Sequence, residues 1–319
     1  MTVHFVRRLA LAIPSILGIS ILLYLLLSAA PGDPFEALAG NPNIPPEVAA
    51  ELRVRFGLDQ PFFARYVNWL AAMLTGDWGF SFSSRMDVLD LILQRVPTTL
   101  FIAGTAQLLA VCVAVSVGVR AGLRPGSAFD RLANLTAFIG FSLPTFFTGM
   151  MLILMFGVYL RLFPTVYDAR IDASGLNWLY LQLRQSLLPV LVLASVQFGV
   201  YVRIVRASVI DVSRQDFVRT ATAKGLQPRR VTWVHIFGNA LPPLVTMVAL
   251  QMPSLFGGAI ITEQIFRIPG VGSLLIEAIL SNDLPVIMAI AFISSILVVV
   301  FNILADLSCM FIDPRIRRS

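Results

Sequence analysis

Six stretches of this chain, residues 9–30, 100–119, 132–160, 186–202, 236–262 and 284–305, contain no Asp, Glu, Lys or Arg. All 24 basic and 18 acidic residues fall between or outside them. A helix needs about 20 apolar residues to cross a hydrocarbon core of about 30 Å, and only a helix or a closed barrel satisfies its backbone there. The runs therefore predict an all-α polytopic membrane protein with six transmembrane helices, the 17-residue fourth run being the shortest. Charged residues make up 13% of the chain, about half of the roughly 25% that a soluble domain carries.

Six crossings divide the remaining residues between two sides. Residues 1–8, 120–131, 203–235 and 306–319 hold 15 Lys and Arg, against 9 on the other side, or 4 once the long segment 31–99 is set aside. By the positive-inside rule both termini face the cytoplasm. The net charge of +6 is then a property of topology, and it gives no reason to expect nucleic acid as a partner. Arg7 and Arg8 before the first run, with Ser28-Ala29-Ala30 at its end, also resemble a signal peptide. The run is longer than the 7–15 residues of a signal core, so an uncleaved anchor is expected.

The chain divides as an amino-terminal helix (1–30), an external segment (31–99), a five-helix core (100–310) with a cytoplasmic loop at 207–235, and a basic tail (311–319). Residues 61–74 have helical spacing and carry Tyr66 and Trp69, but they are too short to span, which suits a helix at the headgroup level. On the same side, Gly270 and Gly272 predict a turn, Ser273 the cap of an eight-residue helix, and Asn282-Asp283-Leu284-Pro285 the cap of the last span. Prolines recur inside the runs, and Pro144, Pro242 and Pro253 with Gly257 and Gly258 mark the third and fifth spans as candidates for broken helices lining a translocation path. Cys112 and Cys309 are isolated in apolar surroundings, and His4 and His235 are far apart in sequence, so neither pair predicts a disulfide or metal site.

Between the fourth and fifth runs stands SRQDFVRTATAKGLQPRR, residues 213–230. Ser213 and Asp216 have the spacing of a capping box, and Gly225 followed by Pro228 is a stop signal. Together they predict a helix of about three turns ending at Lys224, with the small residues Thr220, Ala221, Thr222 and Ala223 in its middle. Small side chains permit close packing against another surface, and Phe217 and Val218 make only a modest apolar face for lying on lipid. A solvated loop and a protein-docking helix both remain open on this physics, the second being favoured. The single lysine, Lys224, precedes its glycine, so the chain has no phosphate-binding G-K-[ST] loop. An energy source for active transport would have to be another chain.

DFVRTATAKGL (216–226) followed by RRVTWVHIFGNALPP (229–243) resembles the cytoplasmic EAA-type loop of ABC-importer permease subunits for dipeptides, oligopeptides and nickel. The resemblance extends over RRLALAIPSILGISILLYLLLSAAPGDP, GLDQPFFARYVNWLAAMLTGDWGFSF, TEQIFRIPGVGSLLIEAIL and the terminal DPRIR, nearly the whole chain. Arg219 replaces the acid that opens the generic loop, and fifteen residues instead of eleven separate Gly225 from Leu241-Pro242, a departure similar to the peptide-importer branch. The resemblance implies the type I ABC-importer permease architecture. It implies that Asp216, Arg219, Thr220, Ala221, Thr222, Ala223, Lys224, Gly225 and Leu226 form a coupling helix seated in a cytoplasmic ATPase subunit. Implied partners are a second homologous permease subunit, two ATPase subunits that bind the ATP and Mg, a periplasmic or lipid-anchored solute-binding protein, and membrane lipid. No cofactor is expected on this chain.

Short peptides are the cargo the resemblance implies first, with nickel, glutathione, opines and sugars as alternatives for the same machinery. A standalone channel or secondary carrier would call for intramembrane charges or a repeat, and neither is seen. A membrane-embedded enzyme would need paired Asp or Ser-His chemistry at one depth, and the six runs contain no His or Asp.

Overall fold

The structure is a computed structural model that describes the backbone of residues 2–28, 60–253 and 259–312, and side chains over 10–26, 60–253, 259–305 and 307. Among the described residues the chain is helical, with one isolated bridge between Phe80 and Asp87. In chain order the helices are α1 Thr2–Ser28, α2 Phe62–Thr75, α3 Val88–Leu123, α4 Ala128–Ser142, α5 Thr145–Leu152, α6 Gly175–Ser213, α7 Asp216–Ala223, α8 Pro228–Gln251, α9 Ile260–Phe266, α10 Val271–Leu280 and α11 Leu284–Ile312. Four of these, α3, α6, α8 and α11, are long and apolar enough to cross a membrane, and α4 with α5 and its π-helical continuation Ile153–Tyr159 makes a fifth if the bent pair is one span.

The described chain forms two compact units. The unit of residues 2–96 and 274–299 is built on aromatic packing. Tyr24 of α1 meets Phe62, Tyr66 and Trp69 of α2 at ring distances of 5.4–5.7 Å, and Trp69 meets Phe292 at 5.5 Å. The Ser20 hydroxyl, fully buried in α1, shares a 2.9 Å hydrogen bond with the Tyr66 hydroxyl, which satisfies a phenol that apolar surroundings would otherwise strand. Asp283 does not cap α11 through its carboxylate. Its Oδ2 accepts from the Ser81 hydroxyl at 2.6 Å and the Ser83 amide at 3.0 Å, so the expected cap serves instead to tie down the turn at 81–84.

The second unit, residues 97–273 and 300 onward, packs helices at close range. Ala114, Gly118 and Gly122 recur every fourth residue on α3, and a methyl group at either glycine would lie 2.8 Å from the Cβ of Val205 or Val209 on α6. Small residues at this spacing let two backbones approach where lipid supplies no hydrophobic drive for helix pairing. Cys112 is exposed on α3, and the side chain of Cys309 is outside the described residues.

Three expected spans differ from single straight helices. The third run bends by 102° between α4 and α5, with Leu143 in extended conformation because Pro144 disfavours helix at the residue before it. The fourth, the shortest run, belongs to α6, a 39-residue helix. Gln182, Arg184, Gln185, Arg203 and Arg206 interrupt its apolar count but not its backbone, and the two buried glutamines bond to the 167–168 loop through the Tyr167 hydroxyl and the Asp168 backbone. The fifth run is not one helix: α8 ends at Gln251, before Met252 and Pro253, and α9 begins at Ile260. The prolines inside α8 do not stop it. A π-helical stretch, Val231–Phe237, ends one turn before Pro242 and Pro243, and Asn239 Nδ2 donates to the His235 carbonyl at 2.8 Å. Widened turns and side-chain donors of this kind carry a membrane helix past missing backbone donors.

A candidate coupling surface between α6 and α8

Helix α6 runs past the expected start of the polar segment. Val202, Val205 and Val209 are buried on one face, and the helix continues through Val212 to Ser213, whose hydroxyl donates to the Ile210 carbonyl at 2.8 Å. Ser213 is therefore the last residue of α6 and not the cap of α7. Gln215 is the N-cap residue of α7, in extended conformation and without a side-chain cap bond, and α7 has eight residues, about two turns instead of three. The expected loop 207–235 likewise contracts to residues 214–227, since 207–213 belong to α6 and 228–235 to α8.

The other end of α7 follows the stop signal. Gly225 has φ +77°, its amide bonds the Thr222 carbonyl at 3.0 Å, and the Leu226 amide bonds the Ala221 carbonyl at 3.4 Å. This pair of bonds around a left-handed glycine is the Schellman arrangement, with half-buried Leu226 packing back on the core.

Two turns give α7 an inner and an outer face. Val218 and Ala221, three residues apart, are buried in the same apolar core as Val209, Val231 and Ile236. Asp216, Phe217, Arg219, Thr220, Thr222, Ala223 and Lys224 are exposed. Ala221 thus presses α7 against its own chain and is not part of an outward small face, a correction to the expectation for 220–223. Thr220 and Thr222 turn their hydroxyls onto the carbonyls of Asp216 and Val218 at 2.9 and 3.0 Å. The outward surface is therefore Phe217 with the methyl and methylene parts of its neighbours, rimmed by Asp216 and Arg219, whose charges lie 3.6 Å apart in solvent.

At the first turn of α4 a second polar assembly holds α6 in place. Asp130 is buried and receives a bidentate pair from Arg206, with Nη2 to Oδ2 at 2.8 Å and Nε to Oδ1. The Gly126 amide and Asn134 Nδ2 complete its shell at 2.8 and 2.9 Å. Nothing in the local sequence marked this pair, because its members are 76 residues apart.

A third assembly involves Glu263 in α9, which directly follows the fifth charge-free run and is 1% exposed. Its carboxylate accepts from the Thr99 hydroxyl and the Ser273 amide, both at 2.8 Å. Ser273 is the third residue of α10, so Glu263 caps that helix where the dipole favours an anion. Gly270 permits this approach, since a methyl there would stand 2.2 Å from Oε1. Ser273 itself bonds back to Gly270, and α10 has ten residues from Val271, not eight from Ser273. The position of an acid at the border of a run was the one signal that could have flagged it.

Of the residues expected along a translocation path, Pro144 opens α5 at the bend, Pro242 is inside α8 and Pro253 lies in the turn after it. Gly257 and Gly258 lie outside the described residues.

Long apolar helices packed through small residues, with one exposed polar helix pinned between two of them, define an integral membrane protein. Residues 114–318 match the family described as binding-protein-dependent transport system inner membrane component, and residues 1–103 match the model for its N-terminal region. The chain belongs to this family. It is 36% identical to the oligopeptide transport system permease protein AppB of Bacillus subtilis, over 99% of both chains. It is 35% identical to the dipeptide transport system permease protein DppB of Escherichia coli K12, over 98% of this chain and 97% of the other. A di/tripeptide transport system permease protein of Pseudomonas aeruginosa is 36% identical over 98% and 97%. This chain is accordingly an inner-membrane permease subunit, a transport component and not an enzyme, and its family implies ATPase and substrate-binding partners.

Proposed function

We propose that this permease imports short peptides and that the outward face of α7 is where an ATPase subunit engages it. The geometry of α7 carries the second part: Val218 and Ala221 fix the helix to α6 and α8 while Phe217, Thr220 and their neighbours stay exposed. A partner displacing such a helix must move the long helices joined to its two ends, which is what rigid-body switching between two states requires. The peptide cargo rests on the names of the similar permeases; nickel, glutathione, opines and sugars remain alternatives.

In this reading the chain crosses the membrane six times, with both termini and α7 in the cytoplasm and residues 31–99 outside. Helix α1 supports the first crossing, since its 27 residues at about 1.5 Å each exceed a core of about 30 Å. The bent α4–α5 pair serves as the third span, and α8 to α9 with its interruption as the fifth. The complex comprises a second homologous permease subunit, two ATPase subunits that hold ATP and Mg, and a periplasmic or lipid-anchored solute-binding protein. Pro144, Pro242 and Pro253 mark backbone irregularities beside the path, and Gly257 and Gly258 are assigned to it from the sequence alone.

The test is cross-linking in membranes holding the assembled importer, with Phe217→Cys and Ala221→Cys compared. Residue 217 should cross-link to the ATPase subunit and residue 221 should not, and uptake of a labelled dipeptide should fall when Thr220 is made Trp. Unchanged uptake with no cross-link at 217 would overturn the coupling assignment. Failure to take up any dipeptide, with ATPase activity intact, would overturn only the cargo.

A further inference from the structure

We infer that a cleft beside the coupling loop binds the phosphate-bearing headgroup of an anionic membrane lipid. The cleft, about 500 Å³, lies between the end of α3 and the start of α8 and is lined by Ser116, Val119, Arg120, Leu123, Arg124, Thr232 and Trp233. Its size is within the range of small-molecule sites, about 300–1,000 Å³.

Depth follows from the sequence. Arg120 is the first residue after the charge-free run 100–119, and Trp233 stands three residues before the run that begins at 236. Both are therefore at the edge of the hydrocarbon, where Trp rings and the long stems of Arg anchor membrane proteins. Val119 and Leu123 offer apolar wall for the start of an acyl chain, and Thr232 adds a hydroxyl that can donate to an ester or phosphate oxygen, whereas the Ser116 hydroxyl already donates to the Cys112 carbonyl at 2.9 Å.

Charge selects the ligand. Arg120 lies 4.6 Å over the Phe129 ring, and neither Arg120 nor Arg124 has a carboxylate partner among the described residues. Arg206, by contrast, is spent on Asp130. Two such cations over an apolar floor fit a headgroup with net negative charge and disfavour a zwitterionic one, whose own ammonium they would repel. An ATPase subunit is a poorer occupant, because the cleft is at membrane depth while α7 presents the exposed polar surface. Thr232 and Trp233 belong to the same helix end that α7 leads into, so a bound headgroup would brace α8 where α7 pushes on it.

The experiment uses the purified importer with all its subunits, titrated with phosphatidylglycerol brominated on its acyl chains. Quenching of tryptophan fluorescence is read in the wild type and in Trp233→Phe, whose difference isolates residue 233 from the other three tryptophans. Saturable quenching at Trp233 is expected, about five-fold weaker for each of Arg120→Gln and Arg124→Gln. Brominated phosphatidylcholine should quench only at much higher concentration, and inorganic phosphate at millimolar level should not displace the lipid. Equal quenching by the two lipids, or no loss in the double arginine variant, would overturn the inference. Displacement by inorganic phosphate would assign the cleft to a soluble anion, and quenching that appears only after the ATPase subunits are removed would assign it to the protein interface.

Discussion

Ser127-Ala-Phe-Asp130 and Ser213-Arg-Gln-Asp216 place a hydroxyl and an acid at the same spacing, and only the first is a cap. Ser127 accepts from the Asp130 amide at 3.1 Å and α4 begins beside it, whereas Ser213 is still inside α6 and bonds backward to Ile210. The difference lies in what precedes each serine. Pro125 and Gly126, the latter at φ +79°, end the path from α3, so the chain arrives at Ser127 free to start a new helix. Before Ser213 the buried positions 202, 205, 209 and partly buried 212 keep helical spacing, and packing carries the helix through the serine. The two acids part in the same way. Asp130 is sealed against Arg206, while Asp216 is exposed and 3.6 Å from an equally solvated Arg219. A capping motif is thus a proposal by the local sequence that the preceding helix can overrule.

The largest expected effect is at the buried member. Asp130→Ala should destabilise the purified permease by about 3–5 kcal/mol in thermal unfolding, since it leaves the Arg206 guanidinium in a partly buried site without its counter-charge. Adding Arg206→Leu should recover most of the loss, and a single-variant loss below about 1 kcal/mol would show that the pair is solvated. Next comes Ala221→Leu, which forces extra volume between α7 and the core and should cost about 1–3 kcal/mol with loss of uptake. Thr222→Leu adds similar bulk on the exposed side and should leave unfolding unchanged while weakening ATPase association in pull-down. If both behave alike, the division of α7 into inner and outer faces fails. Ser127→Ala should cost about 1 kcal/mol, the worth of an N-cap, whereas Ser213→Ala should stay within about 0.5 kcal/mol. Asp216→Asn should leave the melting curve where it was.

Much of the architecture was legible because membrane helices announce themselves by charge exclusion. Helices α3, α6, α8 and α11 contain or largely overlap four of the expected runs, and α2 spans 62–75 where 61–74 was expected. The bend at Pro144 could be suspected from the proline, but not its angle. The full length of α6 was hidden because buried Gln182 and Gln185 look like loop residues until Tyr167 and Asp168 are folded against them. At α7, the glycine stop was visible and the helix start was not. Glu263 and Thr99, 164 residues apart, could be joined only by the fold.

From the amino-acid order alone came the membrane class, the stretches that form long apolar helices, the stop at Gly225 and the lack of a phosphate-binding loop. These are matters of composition and spacing within a few residues, and they need no partner. Tertiary packing decided which serine caps, that Ala221 faces inward, that Asp130 meets Arg206 and that Glu263 closes over α10. Each depends on burial against a distant segment, and the free energy of burying a group is set by its neighbours in space and not by its neighbours in sequence.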